Sequence, residues 1–198
     1  MRIGCLGWGS LVWDPRGLPI RGDWFEDGPL LPIEFARVSS DLRVTLVLVE
    51  KTPVVRSLWT LMDVPDLRSA RTALAGREGV PEDRIARDIG VWSAEERFEG
   101  PGVAAIVSWA ERLELDGVVW TALPPGFRQS RGTVPEIEQV LAHLRSLEGA
   151  PLRRAEEYVR RAPRQTDTPF RRRFERELGW TRVGGQSTAG RPGAPSSR

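Results

Sequence analysis

The sequence of 198 residues contains one cysteine, one histidine and one lysine. With Cys5 as the only cysteine no intramolecular disulfide can form, and with His143 as the only histidine the ligand set of a typical zinc site is missing. A histidine-dependent nucleophile would have to use His143, but its apolar neighbours have helical spacing, and we interpret it as a helix-surface residue. We therefore expect no metal and no cofactor. Acid–base chemistry falls to carboxylates, Tyr158 or Lys51.

Long apolar runs are also absent. The run at residues 44–49 is interrupted by Thr45, and it is far shorter than the roughly 20 apolar residues of a membrane span. The first residues lack the basic region, apolar stretch and small-residue cleavage site of a secretory signal. We expect a soluble, cytoplasmic protein that makes no membrane contact.

The basic side chains are almost entirely arginine, and the formal net charge is only +2. The excess of arginine over acidic residues is concentrated at residues 151–178, a pattern typical of a solvated helical face. This segment has neither the aromatic residues of a single-strand platform nor a groove-reading motif. Nucleic-acid binding through this segment remains a third hypothesis, but we do not expect nucleic acid as a partner.

Periodicity and turn residues predict a mixed α+β fold. Strands are predicted at residues 2–7, 30–38, 42–49, 56–62 and 118–123. Helices are predicted at residues 63–76, 102–113, 133–147, 152–161 and 168–178. Turn residues between the second and third strands predict a hairpin, and the N-caps expected for the first, third and last helices are Asp63, Thr133 and Thr168. Trp59, Trp109 and Trp120 are assigned to the core.

These elements divide the chain into three parts. Residues 1–125 are predicted to form the core, and residues 126–182 a helical C-terminal extension packed on it. Residues 183–198 have too few apolar side chains to offset the entropy of ordering, so we predict a disordered tail. The sequence gives no indication of the oligomeric state.

A glycine-containing loop directly after the first strand is the first candidate for a binding site. Glycine lets a ligand approach the backbone closely, so that successive N–H groups can point at one anion. A carboxylate or phosphate would suit such a loop. In the alternative interpretation, the glycines only satisfy the backbone conformation of a tight turn. The loop residues are Gly7, Trp8, Gly9, Ser10 and Leu11.

Glu78 is the second candidate. It lies beside Gly79 near the end of the first long predicted helix, where a side chain can be directed into a cleft rather than along a helix face. Glu34 is a third candidate, because it is a carboxylate in an otherwise apolar strand. We assign it to the binding cleft as a second acid, with Arg37 on the same strand as a candidate partner; the alternative is a structural role.

Two segments resemble the γ-glutamylcyclotransferase-like proteins. Residues 1–15, with the loop and the following Val12-Trp13, resemble the Tyr-Gly-Ser-Leu signature that opens this family, above all its ChaC branch. Residues 74–79 are similar to the Leu-x-x-Arg-Glu segment that holds the family's catalytic glutamate. The motifs match locally, and the order of elements matches over about residues 1–125. Trp8 stands where the family usually has tyrosine.

This resemblance implies a mixed, partly barrel-like sheet with flanking helices. It also implies that the backbone of Gly9, Ser10 and Leu11 holds the α-carboxylate of a γ-glutamyl substrate and that Glu78 is the general base. The α-amine of the substrate would attack its own γ-carbonyl, forming 5-oxoproline and releasing an amine, amino acid or dipeptide, as in glutathione metabolism. A non-catalytic carboxylate-binding module on the same fold, or an enzyme of another acyl-transfer chemistry, is the alternative.

Overall fold

The computed structural model describes residues 1–183. The strands are β1 (Ile3–Gly7), β2 (Ile20–Phe25), β3 (Leu30–Leu31), β4 (Ile33–Val38), β5 (Val44–Leu48), β6 (Val55–Arg56), β7 (Leu58–Met62), β8 (Ile89–Ser93) and β9 (Gly117–Thr121). The helices are α1 (Ser10–Trp13), α2 (Leu67–Glu78), α3 (Ile85–Asp88), α4 (Val103–Arg112), α5 (Ile137–Arg145), α6 (Gly149–Arg161) and α7 (Pro169–Leu178). Short 3₁₀ turns cover Glu82–Arg84 and Arg128–Ser130. The predicted α+β class is confirmed. The predicted tail lies outside the described residues except for Val183.

The main sheet is mixed and has five strands in the order β2-β7-β1-β9-β8. The middle strand, β1, is buried along its whole length, and it pairs antiparallel with β7 and parallel with β9. The partly barrel-like sheet that the resemblance implies does not form a closed barrel within residues 1–183, because β3 and β6 and likewise β4 and β5 form two-stranded sheets separate from the main one. The edge strands β2 and β8 lie in segments for which the sequence predicted no strand.

The predicted hairpin is formed by β4 and β5, which pair antiparallel. It is shorter at its start than predicted, because Pro32 separates β3 from β4 and its carbonyl accepts a hydrogen bond from the Val49 N–H at 2.7 Å. An irregularity in the pairing falls between Phe35 and Arg37. It changes the direction of the strand just before Arg37.

Helix α2 begins later than predicted. Asp66, not Asp63, is its N-cap, and the Asp66 carboxylate accepts a hydrogen bond from the Ser69 N–H at 2.7 Å. Asp63 is engaged elsewhere, because its carboxylate pairs with Arg21 at 2.8 Å. The helix ends at Gly79, whose φ of 66° is a left-handed conformation that suits glycine. Glu78 therefore occupies the last helical position.

The C-terminal helices start at positions that only partly agree with prediction. Thr168 caps α7 as predicted, and its hydroxyl accepts a hydrogen bond from the Arg171 N–H. The expected cap at Thr133 is wrong, because Glu136 and Gln139 form the capping box of α5 and Thr133 belongs to the preceding loop. Helix α6 starts at Gly149, three residues before the predicted start.

One hydrophobic cluster joins the N-terminal part of the chain to the C-terminal helices. Phe35 of β4 packs edge-on against Phe174 of α7 with ring centroids 5.5 Å apart and against Tyr158 of α6. Burying one such side chain contributes about 1.5–3 kcal/mol. The C-terminal helices thus complete the core rather than only covering it. The three tryptophans assigned to the core, Trp59, Trp109 and Trp120, are buried as predicted.

None of the helices within residues 1–183 combines the length and apolar character needed to cross a bilayer.

Candidate functional site

A cleft of about 560 Å³ opens where β1 ends. Its walls come from the loop after β1, the C-terminal end of α2, the β4–β5 turn, the segment after β9, and α6. These elements are far apart in sequence, and the five-stranded sheet and the hydrophobic cluster hold them together. The volume is in the range of ordinary small-molecule sites.

Gly7 and Trp8 line the cleft, but the contacts of both residues serve packing of the core. A Cβ at Gly7 would lie 2.5 Å from the Trp24 ring, so only glycine fits against that tryptophan. The Trp8 side chain is 4% exposed, and its indole N–H donates a hydrogen bond to the Leu46 carbonyl at 3.3 Å. The tryptophan at the position of the family's tyrosine is therefore a core residue with a satisfied polar group.

The loop turns sharply after Gly9. The Val12 N–H donates to the Gly9 carbonyl at 3.0 Å, and the Asp14 N–H donates to the Ser10 carbonyl at 2.8 Å. Within residues 1–183, no oxygen accepts a hydrogen bond from the N–H of Gly9 or Leu11. Both residues line the cleft. The loop can therefore offer backbone donors to an anion.

Glu78 is directed into the same cleft from the last turn of α2. Its side chain is 17% exposed and lies 2.9 Å from a guanidinium nitrogen of Arg77. Burial raises the pKa of Glu78 above its usual value, although the charges of Arg77 and Arg16 act in the opposite direction. A carboxylate with a raised pKa is better matched to proton transfer near neutral pH than an exposed one.

Arg77 connects Glu78 to the loop. Besides the Glu78 carboxylate, its guanidinium donates to the Ser10 hydroxyl at 3.3 Å and to the Asp14 carbonyl at 2.6 Å. The Arg77 side chain is 4% exposed. The structure thus brings the two predicted motifs together, and it does so through an arginine to which the sequence analysis gave no role.

Tyr158 was one of the groups considered for acid–base chemistry, but the sequence did not predict its place beside the loop. Its hydroxyl accepts a hydrogen bond from the Leu46 N–H at 3.4 Å, and a Cβ at Gly9 would come within 2.3 Å of it. Burial raises the pKa of Tyr158 to about 12, so the phenol is neutral and can donate a hydrogen bond. The apolar spacing of Ala155, Tyr158 and Val159 was the available signal, because it places the tyrosine on the buried face of α6.

Glu34 does not line the cleft, so the structure does not place it with the other predicted site residues. It is buried, and its carboxylate accepts hydrogen bonds from the N–H of Phe35 at 2.8 Å and of Phe170, in the first turn of α7, at 3.3 Å. Burial raises its pKa, and hydrogen bonds from Thr168 and the backbone oppose that effect. Glu34 therefore joins β4 to α7.

The predicted pairing of Glu34 with Arg37 is not present among the described ion pairs. Arg37 lines the cleft, and its guanidinium donates to the Pro124 carbonyl at 2.7 Å. His143 lies outside the cleft lining, with Nε2 2.9 Å from the Leu42 carbonyl oxygen.

The cleft is rich in arginine. Three acidic residues also line it: Glu78, Asp41 and Asp88. The arginines that line it are Arg16, Arg37, Arg43, Arg77, Arg84, Arg128 and Arg131. Such a lining favours anionic ligands, because guanidinium groups bind carboxylates and phosphates through paired hydrogen bonds.

A scan against protein-family models finds no match for this chain, and searches of curated proteins and of solved structures find none either.

Proposed function

We propose that the protein is a γ-glutamylcyclotransferase-like enzyme that converts a γ-glutamyl amine or peptide into 5-oxoproline and the free amine in the cytoplasm. The observation that carries the proposal is the placement of Glu78 and the glycine loop in one cleft, linked through Arg77. We also propose that the mixed sheet is a variant of the γ-glutamylcyclotransferase-like fold, to which the order of elements and the two motifs point.

The substrate binds with its α-carboxylate at the loop. The N–H groups of Gly9 and Leu11 provide donors there, and the neutral Tyr158 hydroxyl stands beside Gly9, where it can donate a further hydrogen bond. Fixing the carboxylate places the α-amine and the γ-carbonyl of the same molecule for ring closure. Orientation of this kind supplies a large part of the rate in intramolecular reactions.

Glu78 then acts as a general base and general acid. It accepts a proton from the α-ammonium group, and the freed amine attacks the γ-carbonyl carbon to form a C–N bond. The tetrahedral intermediate collapses with cleavage of the bond to the leaving nitrogen, which receives the proton from Glu78. The attacking nitrogen gives up its second proton to the freed Glu78 carboxylate, and this proton completes the ammonium group of the released amine. The products are the five-membered lactam and the amine. No protein nucleophile is required, because the substrate supplies its own.

One observation favours the second candidate, a carboxylate-binding module without turnover. The ion pair between Arg77 and Glu78 holds the carboxylate in a structural contact, and a residue that orients Arg77 need not transfer protons. The two candidates differ in what Glu78→Gln does. The enzyme loses turnover and keeps ligand affinity, whereas a binding module shows no turnover in either form.

The test is an assay of 5-oxoproline release by mass spectrometry. Purified protein is incubated with glutathione and a panel of γ-glutamyl amino acids and amines, next to Glu78→Gln and Glu82→Gln. Glu82 is an exposed glutamate on the following turn and serves as the matched control. Release by the wild type and by Glu82→Gln, but not by Glu78→Gln, supports the proposal. Absence of release from every member of the panel overturns it.

A further inference from the structure

The arginines of the cleft form two groups. Arg77 pairs with Glu78, Arg16 donates to the Arg77 carbonyl, and Arg43 lies over the Tyr158 ring. The remaining four line the same cleft and form no hydrogen bond or ion pair with Glu78 among the described contacts. We call these four the Arg37 cluster. Its members are Arg37 of β4, Arg84 of the turn before α3, and Arg128 and Arg131 of the segment after β9.

Backbone carbonyls fix the position of two members of the Arg37 cluster. Arg37 donates to the Pro124 carbonyl at 2.7 Å, and Arg131 donates to the carbonyls of Gly126 and Val38. A Cβ at Gly126 would lie 2.3 Å from the Ser130 carbonyl oxygen, and its φ of 103° also requires glycine. The segment after β9 is thus tightly folded. It holds guanidinium groups at the cleft without neutralising their charge.

Few carboxylates balance this charge. Within residues 1–183, none forms an ion pair with Arg37, Arg128 or Arg131. Asp88 is already bound by Arg84 at 2.7 Å and by Arg87 at 2.8 Å. Burial and the nearby charge of Arg131 lower the pKa of Arg37 to about 10. Holding unpaired like charges together is unfavourable unless a ligand supplies the counter-charge.

We propose that the Arg37 cluster is a subsite for a dianionic group, a phosphate or a pair of carboxylates, on the leaving-amine part of the substrate. This inference rests on the proposed function, because the γ-glutamyl end is assigned to the loop near Glu78. One negative charge at the loop leaves three members of the cluster, Arg37, Arg128 and Arg131, without a carboxylate partner among the described residues, while Arg84 is paired with Asp88. Two further negative charges on the same ligand match the planar, bidentate donors of the guanidinium groups in the Arg37 cluster.

The test compares pairs of substrates in which the leaving amine has a phosphate or a second carboxylate in one member and a hydroxyl or an amide at that position in the other. γ-Glutamyl-O-phosphoethanolamine is compared with γ-glutamylethanolamine, and γ-glutamylglutamate with γ-glutamylglutamine. We expect kcat/KM to be at least tenfold higher for the dianionic member of one pair or of both. The pair with the larger ratio identifies the phosphate or the dicarboxylate as the preferred group. Equal kcat/KM within both pairs overturns the inference.

Substitution of single arginines tests whether the Arg37 cluster binds the dianionic group. Arg128→Gln is the main variant, because Arg128 is exposed and makes no side-chain hydrogen bond to the described residues, so that folding does not depend on it. Arg37→Gln is the second variant, and Arg112→Gln, on the exposed face of α4, is the matched control. Each cluster variant is expected to raise KM for the dianionic substrate about tenfold, leaving kcat and the uncharged substrate nearly unchanged. An equal loss on both substrates contradicts the subsite.

Measurements of probe binding distinguish failure of the subsite from failure of the proposed function. Isothermal titration of the wild type with O-phosphoethanolamine and with glutamate, and with ethanolamine as the uncharged probe, needs no turnover. If no panel member yields 5-oxoproline but a dianionic probe binds and Arg128→Gln together with Arg37→Gln removes the binding, the proposed function fails and the subsite stands. If turnover occurs while neither probe binds and charge does not change kcat/KM, the subsite fails and the function stands.

Discussion

The C-terminal helices and the cleft both contain many arginines, but they use them differently. Eight of the nine arginines at residues 151–178 lie within 4.0 Å of a carboxylate. Arg160 and Arg161, for example, pair with glutamates one helical turn away at 2.9 and 3.0 Å. In the cleft, Arg37 and Arg131 instead donate to backbone carbonyls, which leave their charge in place.

This difference shows that arginine density in the sequence does not locate the charge available to a ligand. Most arginines of the segment with the largest excess of arginine are paired with carboxylates, some of them from other parts of the chain, and this pairing weakens the attraction that a phosphate backbone would need. The charge that can act on a ligand lies in the cleft, where arginines from four separate segments meet.

The largest expected effect concerns the one carboxylate of the cleft that we assign to catalysis. Glu78→Gln is predicted to lower kcat by about 10²–10⁴-fold, the usual contribution of a general acid–base group, while Kd for a bound substrate stays within a fewfold of wild type. Steady-state kinetics and isothermal titration measure the two quantities. A variant that keeps its kcat would show that Glu78 does not transfer the proton.

The pH profile of kcat/KM tests the assignment of Glu78 as the general base. The base must be ionised, and burial raises the pKa of Glu78. Activity is therefore predicted to fall as the pH drops through that raised value, at a higher pH than an ordinary glutamate would give. A profile that is flat down to the usual range of exposed carboxyls would contradict this assignment.

The contact between the loop and α6 is expected to have the next largest effect. Gly9→Ala places a Cβ 2.3 Å from the Tyr158 hydroxyl, so the loop or the tyrosine must move. Displacements on the order of 1 Å cost up to about 10²-fold in rate, and we expect a loss of this size in kcat/KM. Gly17→Ala is the control, because a Cβ there meets no atom within 4 Å and Gly17 does not line the cleft. Equal activity of both variants would exclude a role for the Gly9 contact.

Stability distinguishes a buried arginine of the C-terminal region from its exposed neighbours. Arg171 is fully buried and donates to the carbonyls of Pro163 at 2.7 Å and Ala162 at 2.9 Å. Arg171→Met should lower the free energy of unfolding by about 2–4 kcal/mol, because it leaves buried acceptors unsatisfied. Arg172→Gln should cost less than about 1 kcal/mol, since Arg172 forms an exposed ion pair. Urea unfolding measures both, and equal losses would refute the distinction.

The smallest expected effect is the pH dependence of stability in Glu78→Gln. A carboxyl whose pKa is raised by folding stabilises the protein fully below its unfolded pKa, and this contribution is lost as the pH rises through the folded pKa. The wild type should therefore lose stability relative to Glu78→Gln between acidic and neutral pH. Thermal unfolding of both proteins across that range tests the sign. A wild type that gains stability relative to Glu78→Gln as the pH rises would contradict the raised pKa.

Short-range sequence patterns predicted the glycine loop and the position of Glu78. The glycines after β1 and the position of Glu78 beside Gly79 were recognisable, because a loop after a buried strand and a helix end have short-range sequence patterns. The hairpin of β4 and β5 was predicted for the same reason. The bounds of α2 were not, because Asp63 and Asp66 are both good N-cap residues; in the structure Asp66 accepts from the Ser69 N–H, and Asp63 pairs with Arg21.

The features of the site that the sequence did not predict depend on packing between distant segments. Glu34 was assigned to the cleft because it is a carboxylate in an apolar strand. Its carboxylate instead accepts a hydrogen bond from the Phe170 N–H of α7, away from the cleft lining. The Tyr158 hydroxyl reaches the loop only because α6 packs on β5 and α1. The arginines of the cleft come from segments whose approach depends on the whole fold.

Turnover in H₂¹⁸O distinguishes ring closure by the substrate's own amine from hydrolysis of the γ-glutamyl bond. The γ-glutamyl substrate of the panel that is turned over fastest is used, and the products are analysed by mass spectrometry. Cyclisation adds no water, so the account predicts unlabelled 5-oxoproline and the released amine in equal amounts. Formation of ¹⁸O-labelled glutamate in place of 5-oxoproline would show hydrolysis and contradict the account.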